Sequence, residues 1–337
     1  MRLPAAALFA VLCMSTAHAN DTMAELKTGG LVFVQSGDVT MAQEHLSISP
    51  ETISVDYVFR NNVDHDISAV IAFPLPDIVG SPDMNIAIPD WESDNFLDFK
   101  VVQEGAPIEA NLQQKAFALS LDVTADLEKA GIPLTPFGEK IGAALAKLDP
   151  ETAKDWITRG IIIEEEWDQG AGMQKHLTPF WKLQSAYWWK TTFPAKSDVR
   201  VSHTYKTGMG GTVGMSFLDD NGMVGGERWE DYKVKYCVDD DLRRTIEKAI
   251  VAAPEDRKYS AYVENWISYV LTTGGNWAGS INKFKLTIDK GAPGNLVSFC
   301  GTNVKKTGPT TFEMEAEEFW PERDLEILLL KKPEGDL

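Results

Sequence analysis

The amino-acid sequence predicts a mainly β fold of the β-sandwich-like type, arranged as one sandwich or as two sandwich halves. Apolar and polar residues alternate along short segments, and these segments follow one another with turn residues between them. Helix-forming patterns are clearest in an insertion around 113–160 and in a segment near 239–252. Successive short strands are typical of sandwiches, whereas a doubly wound fold alternates strands with helices.

The clearest strands lie between Ile53 and Ile78. Apolar residues occupy every second position from Ile53 to Phe59, and a second strand-like segment follows from Ile67 to Phe73. A period of two places one face of a strand on a core. The polar loop 61–66 suits a turn, and Pro74 lacks the amide that a ladder requires. We therefore expect a hairpin here.

The remaining elements divide the chain into four parts. We predict a signal peptide (1–19), an N-terminal β-sandwich portion (20–112), a helical insertion (113–172) and a C-terminal β-rich portion (173–337). Within the insertion, Asp149 followed by Pro150 is typical of a helix start. Asp239 is expected to cap the later helix. The segment 259–271 fits either a strand or a helix.

The N-terminus indicates export. Arg2 precedes an apolar run from Ala5 to Met14, and Ala17 and Ala19 form an A-x-A site. This is the pattern of a secretory signal peptide, so we expect cleavage after Ala19 and a periplasmic or secreted protein. Cys13 lies within the apolar run and should leave with the signal.

The net charge restricts the partners. The chain has a formal net charge of −18, and removal of residues 1–19 makes it −19, because Arg2 is lost and no acidic residue is. A polyanion would be repelled, so nucleic acid is not an expected partner. No later segment has the roughly 18 consecutive apolar residues of a spanning helix.

Two cysteines remain after signal removal, Cys237 and Cys300. In an exported chain an even number of cysteines predicts a disulfide. Closing the 62 residues between them would stabilise the fold by roughly 4 kcal/mol in the chain-entropy model.

An acidic run ends the insertion at Glu164, Glu165, Glu166 and Asp168. A glycoside hydrolase uses two carboxylates, one protonated and one ionised, so this run is the candidate for such chemistry. A run of glutamates is more often a solvated face, and that interpretation is favoured here.

Aromatic residues are abundant, with ten tryptophans in the chain. Tyr187, Trp188 and Trp189 stand consecutively on a predicted strand, so they must point to both faces. They are a candidate ligand surface for a sugar ring or a protein partner. The alternative, which we favour, is that they build two core layers.

Catalytic and metal-binding motifs do not survive inspection. Ser280 and Lys283 fit S-x-x-K, but they follow the S-D-N triplet at Ser93 instead of preceding it, and residues three apart on a strand face opposite sides. The histidines His45, His65, His176 and His203 lack zinc-ligand spacing. We therefore predict no catalytic residues, no metal and no cofactor.

Three segments resemble an uncharacterised family of exported bacterial proteins that is described as a domain of unknown function. They are NDTMAELKTGGLVF after the signal, VDYVFRNNVDHDISAVIAFPLPDI, and YVLTTGGNWAG at 269–279. The resemblance covers nearly all of the mature chain and implies no activity, cofactor or catalytic residue. FRNN followed by FPLP is also similar to the N-terminal domain of vault proteins and inter-alpha-trypsin inhibitor heavy chains, which implies a β-sandwich used for protein interaction.

The sequence thus favours a non-enzymatic envelope protein that binds another envelope protein or a glycan. One alternative is an envelope hydrolase that acts on glycan or peptide through acidic residues, and another is a structural envelope protein. A cleft with two facing carboxylates would favour the hydrolase, and an accessible aromatic patch would favour binding.

Overall fold

The computed structural model describes residues 20–27, 30–81, 86–91, 93–168, 170 and 172–333. The expected signal peptide, its cleavage residue Ala19 and Cys13 lie outside these ranges. The strands are β1 (Thr22–Lys27), β2 (Gly30–Val34), β3 (Val39–Ile48), β4 (Thr52–Asn61), β5 (Ile67–Pro74), β6 (Ile78–Val79), β7 (Ile86–Ala87), β8 (Lys100–Gln103), β9 (Ala106–Ile108), β10 (Asn111–Ala118), β11 (Leu121–Asp122), β12 (Ile162–Asp168), β13 (Met173–Pro179), β14 (Lys182–Phe193), β15 (Asp198–Lys206), β16 (Met209–Gly211), β17 (Val263–Tyr269), β18 (Ile281–Asp289), β19 (Leu296–Phe299), β20 (Lys305–Lys306), β21 (Thr311–Phe319) and β22 (Leu325–Lys331). The α-helices are α1 (Thr124–Lys129), α2 (Glu139–Leu145), α3 (Pro150–Thr158), α4 (Gly226–Lys235) and α5 (Asp240–Ala252), and short 3-10 helices cover Glu255–Arg257 and Thr272–Asn276.

The strands form three sheets and a separate hairpin. The central sheet has the order β20-β21-β18-β3-β4-β15-β8-β9. The front sheet has the order β11-β10-β14-β5-β1-β2, with β6 beside β14, and the third sheet has the order β19-β22-β17-β16-β7. The strands β12 and β13 pair with each other. In the described part of the chain, β3 and β18 pair in parallel and the other neighbours are antiparallel.

The front and central sheets pack face to face and enclose the main hydrophobic core. Phe59 on β4 meets Phe193 on β14 with ring centroids 6.0 Å apart, and Phe73 on β5 stacks on Phe99 at 5.1 Å. Ile53, Val55, Tyr57 and Phe59 are all buried, as their alternation predicts. The predicted mainly β, sandwich-like fold is therefore confirmed. None of the helices in the described ranges is long and apolar enough to cross a membrane.

The predicted hairpin between Ile53 and Ile78 is wrong in its pairing. β4 pairs with β3 and β15 in the central sheet, whereas β5 pairs with β1 and β14 in the front sheet. The polar turn therefore crosses from one sheet to the other. Asn61 fixes this crossing, because its amide donates to the carbonyl oxygens of His65 and Phe193, both at 2.9 Å. The strands β8 and β9 pair with each other as a hairpin at the edge of the central sheet.

The helices of the insertion begin later than residue 113. Residues 111–118 form β10, which pairs with β14, and the first helix starts at Thr124. Asp149 caps α3 as predicted, accepting from the amides of Glu151 and Thr152. The helices pack around the buried Trp181, whose indole Nε1 donates to the Leu134 carbonyl at 2.8 Å.

A second hydrophobic cluster joins α4 and α5 to the third sheet. It contains Trp229 and Tyr232 of α4, Ile246 and Ile250 of α5, and Leu328 of β22. The predicted helix near 239–252 is confirmed as α5, capped by the Asp239 side chain on the Leu242 amide. The segment 259–271, which fitted either a strand or a helix, contains the strand β17 (Val263–Tyr269).

Candidate functional site

An open groove lies between the β12–β13 hairpin and helix α2. Its volume is about 970 Å³. One wall is apolar and comes from α2 and its flanks, and the other wall comes from the hairpin. We call this the helix–hairpin groove, and it is lined by Phe137, Ile141, Leu145, Leu148, Glu165, Trp167, Lys175, His176 and Thr178 among others.

The strand register decides which hairpin side chains enter the groove. Glu165 pairs with His176, and Trp167 pairs with Gln174. Because side chains alternate along a strand, Glu165 and Trp167 share one face with His176. This face is the wall opposite α2.

Trp167 and His176 form a ring stack in this wall. Their centroids are 3.8 Å apart and their planes differ by 8°. The stack fixes the indole, although 36% of Trp167 remains exposed. The Nε2 atom of His176 is buried and has no hydrogen-bond partner in the described part of the chain. The site thus offers the exposed part of an indole, whereas the unpartnered imidazole nitrogen has no accessible surface.

The predicted acidic cluster is divided by the same alternation. Glu164 and Glu166 share a face, where Lys175 Nζ lies 2.6 Å from Glu164 and 4.0 Å from Glu166. These carboxylates raise the pKa of Lys175, with the Glu164 hydrogen bond as the main cause. Glu165 lies on the groove face and accepts from the Thr178 hydroxyl at 2.6 Å. Asp168 accepts from the amides of Gly170 and Gly172 at the turn.

The aromatic triplet on β14 is placed mainly in the core. Tyr187 is 4% exposed and Trp189 is 2% exposed, and Tyr187 stacks on Phe99 at 4.3 Å. Trp188, of opposite parity, is half-buried. Tyr187 and Trp189 are therefore removed from the candidate ligand surface. They are buried because β14 is an inner strand whose core-facing side meets the central sheet.

A second polar site lies inside the sandwich at the first described residues. We call it the N-terminal polar cluster, and it consists of Asn20, Asp21, Glu44, Tyr57, His203, Tyr269 and Thr273, all of which are buried. Asn20 Nδ2 lies 3.3 and 3.4 Å from the two Glu44 oxygens, and Tyr57 donates to Asn20 Oδ1. Asp21 Oδ1 lies 2.9 Å from His203 Nε2. The Asp21 carbonyl accepts from the Trp277 indole at 2.8 Å.

Burial dominates the electrostatics of this cluster. It raises the pKa of Glu44 to about 8, with a smaller upward contribution from Asp21, whereas the Asn20 hydrogen bond opposes the shift. It also raises the pKa of Asp21, although His203 acts in the opposite direction. Asp21 Oδ2 and His203 Nδ1 have no hydrogen-bond partner in the described ranges. The cluster therefore holds two fully buried acids and one imidazole.

The other histidines stand apart from each other. His45 Nε2 lies 3.2 Å from the Thr287 hydroxyl, and His65 Nδ1 lies 3.4 Å from Asp64 on the surface. The described residues contain no group of three or more His, Cys, Asp or Glu that could hold a metal ion. Cys237 and Cys300 are joined, with sulfurs 2.02 Å apart.

Sequence reasoning missed Glu44, Asn20 and Asp21, and it gave His176 no role. A signal for Glu44 was present, because it has the inward parity of Leu46 and Ile48 on β3. His203 likewise follows Val199 and Val201 at inward positions of β15. A polar residue at an apolar position of an alternating strand indicates a buried polar contact.

The fold and these sites define a mainly β protein with a helical insertion and an open groove. Its sequence matches the model of a family described as a domain of unknown function (DUF4424) over residues 19–328. The chain belongs to this family. The resemblance expected from the sequence is therefore confirmed.

No curated protein sequence matches the chain. Among solved structures, one similar chain comes from Legionella pneumophila subsp. pneumophila strain Philadelphia 1 and is provisionally titled a nutrient binding protein. It is 15% identical to this chain, covers 93% of it and 70% of its own length, and has a TM-score of 0.44.

Proposed function

We propose that the protein is a non-enzymatic binding protein of the bacterial cell envelope, exported with cleavage after Ala19. We further propose that the helix–hairpin groove binds a sugar ring of a neutral glycan. The observation that supports this most directly is the Trp167–His176 stack in the wall of an open groove.

The chemistry of the groove suits a sugar. One face of a pyranose is lined by C–H bonds, which pack on the electron-rich face of an indole. The hydroxyl groups at the ring edge need polar partners, and Glu165 and Thr178 line the groove beside the stack. A mainly apolar pocket with a few convergent polar groups is the usual form of a small-molecule site. The negative net charge of the chain favours neutral over anionic glycans.

The arrangement of the carboxylates favours binding over hydrolysis. A glycoside hydrolase directs two carboxyl groups at one bond. Here Glu164 and Glu166 face away from Glu165, and Asp168 holds a turn. Glu164 is paired with Lys175 and Glu165 with Thr178. Among the described residues, the lining of the groove thus contains one acidic side chain, that of Glu165.

The test is retention of the purified mature protein on peptidoglycan sacculi and its titration with chitotriose and maltotriose. Trp167→Ala should weaken binding about tenfold, since an aromatic contact contributes about 0.5–1.5 kcal/mol beyond its buried area. Trp320→Ala is the matched control, because Trp320 is 59% exposed and lies outside the groove. Its binding should be unchanged.

Other outcomes would contradict the proposal. Sugar fragments released by the mature protein, but not by a folded Glu165→Gln variant, would favour the envelope hydrolase. Absence of binding to all three glycan probes would favour a protein-binding or structural role. The export step is checked separately by the intact mass of the exported protein, which should begin at Asn20.

A further inference from the structure

The first residues of the described chain are part of the core. Asn20, Asp21 and Thr22 have no exposed surface. The backbone nitrogen of Asn20 donates to the Thr273 hydroxyl at 2.9 Å, and the same hydroxyl donates to the Asn20 carbonyl at 3.0 Å. Thr273 belongs to the 3-10 helix Thr272–Asn276 between β17 and β18. The backbone of Asn20 is thus held on both sides by one side chain.

Around Asn20, the described residues place two buried carboxyl groups, Glu44 and Asp21, against one imidazole, that of His203. Glu44 is buried, and in the described part of the chain it has no Lys or Arg as an ion-pair partner. Its contact with Asn20 is through a neutral amide. Asp21 is also buried, and its Oδ2 atom has no hydrogen-bond partner there. Isolated buried carboxylates are costly unless a positive charge or several donors face them.

A free amino terminus at Asn20 would supply the missing charge. An α-ammonium group has three N–H donors, whereas a peptide nitrogen has one, which Thr273 already accepts. The two additional donors and the positive charge would arise on the same residue whose side chain touches Glu44. Capture of an amino terminus by a prepared set of acceptors is a known recognition mode.

We propose that the N-terminal polar cluster is a binding site for the α-ammonium group of the mature chain, with Glu44 as its counter-ion and Thr273 as its acceptor. This rests on the proposed cleavage after Ala19. Removal of the signal thereby generates the group that completes the core. The precursor has an uncharged peptide nitrogen at the same position, so its core is less stable.

The pH dependence follows from Glu44 and from the titratable groups that interact with it, Asp21, Tyr57 and Tyr269, while His203 contacts Asp21. With a peptide at Asn20, the folded pKa of Glu44 is about 8, above its ordinary value of 4.5. The folded state then holds the proton more tightly than the unfolded state does. The contribution of protonated Glu44 to the free energy of unfolding is fully present below pH 4.5 and is lost as pH rises through 8. An adjacent ammonium favours the ionised carboxylate and reduces this loss.

The test compares chains with defined first residues. One begins at Asn20, released from a fusion partner by proteolysis, and the matched chain has Gly-Ser before Asn20. Both have one amino terminus and the same net charge. We expect the extension to lower Tm by about 5 °C, the size expected when a buried charge loses its partner. In the Glu44→Gln background the extension should lower Tm much less. Equal losses in both backgrounds would overturn the proposal.

A second measurement needs no variant. Urea denaturation of the two Glu44 chains from pH 4.5 to 8 should show a steeper loss of stability in the extended chain. The burial effect on Asp21 is common to both and cancels in the comparison. Identical pH profiles would contradict capture. An exported protein that starts at another residue would instead contradict the cleavage step, so the two failures are distinguishable.

Discussion

Glu264 on β17 shows how this fold buries a carboxyl group by hydrogen bonding. It has no exposed surface. Its carboxylate accepts from the Ser216 amide and from the Tyr232 hydroxyl, the latter at 2.7 Å. Burial, with a contribution from Glu264, raises the pKa of Tyr232 to about 12, so this hydroxyl keeps its proton and donates. Two donors therefore replace the water that the carboxylate loses.

Tyr232→Phe should destabilise the protein by about 1.5–3 kcal/mol, because it leaves a buried charged acceptor with one donor fewer. Urea denaturation at pH 7 measures this change. Tyr259→Phe is the matched control, since about half of Tyr259 is exposed and its change should stay within about 0.5 kcal/mol. Equal effects of the two substitutions would show that the Glu264 contact contributes little.

The sequence indicates which residues face the core far better than it indicates their partners. Alternation on β4 predicts the burial of Ile53, Val55, Tyr57 and Phe59, and burial follows. The same parity places Glu44 and His203 inside. Their partners lie outside their own strands: His203 contacts Asp21, 182 residues away, and Glu44 contacts Asn20, 24 residues away. Local pattern has no information on such partners.

At the scale of elements, α4 is attached to the third sheet by covalent and polar contacts at its end. Cys237 follows the helix in the left-handed region, with φ of 54°, and joins Cys300 after β19. Arg323 donates to the carbonyl oxygens of Val234 and Lys235. These contacts satisfy helix-terminal acceptors that would otherwise lack partners. They also fix the position of the cluster containing Trp229.

The disulfide should be present in the purified mature protein. Thiol counting on the denatured, unreduced chain should find no free thiol. Replacement of both Cys237 and Cys300 by Ser should lower the unfolding free energy by about 4 kcal/mol, the chain-entropy value for a loop of this length. Two reactive thiols per chain would contradict the prediction. An unchanged unfolding free energy in the double variant would show that the Arg323 contacts hold the end of α4 without the disulfide.

The polar turn between β4 and β5 shows why the pairing of these strands could not be predicted from the sequence. Two alternating strands with a polar turn fit a hairpin and a crossing between sheets equally well, because both bury one face of each strand. The distinguishing contact is Asn61 to the Phe193 carbonyl, which lies 132 residues away in sequence. The prediction that the helices begin near residue 113 was wrong for a related reason. From Asn111 to Lys115 the strand β10 has a single apolar residue, Leu112, so its first half shows no alternation that predicts a strand.

At the scale of the whole molecule, the predicted N-terminal and C-terminal portions share their sheets. In the central sheet, β3 and β4 lie between β18 and β15. In the front sheet, β5 lies between β1 and β14. The main core cluster accordingly contains residues from Val39 to Ile327. The division into residues 20–112, 113–172 and 173–337 describes segments of the chain. That these segments are domains stays a prediction.

This interleaving leads to a prediction about fragments. Residues 20–112 expressed alone should not fold cooperatively, because β3, β4 and β5 each lose a neighbour and the face of the core that covers them. Near-UV circular dichroism and a thermal melt of this fragment measure the effect, with the intact mature chain as control. Mixing the fragment with residues 113–337 should restore part of the near-UV signal, since the missing strands are supplied. A cooperative melt of the fragment alone would instead show that the N-terminal portion is an independent domain, with β15 and β18 added to a fold that is already complete.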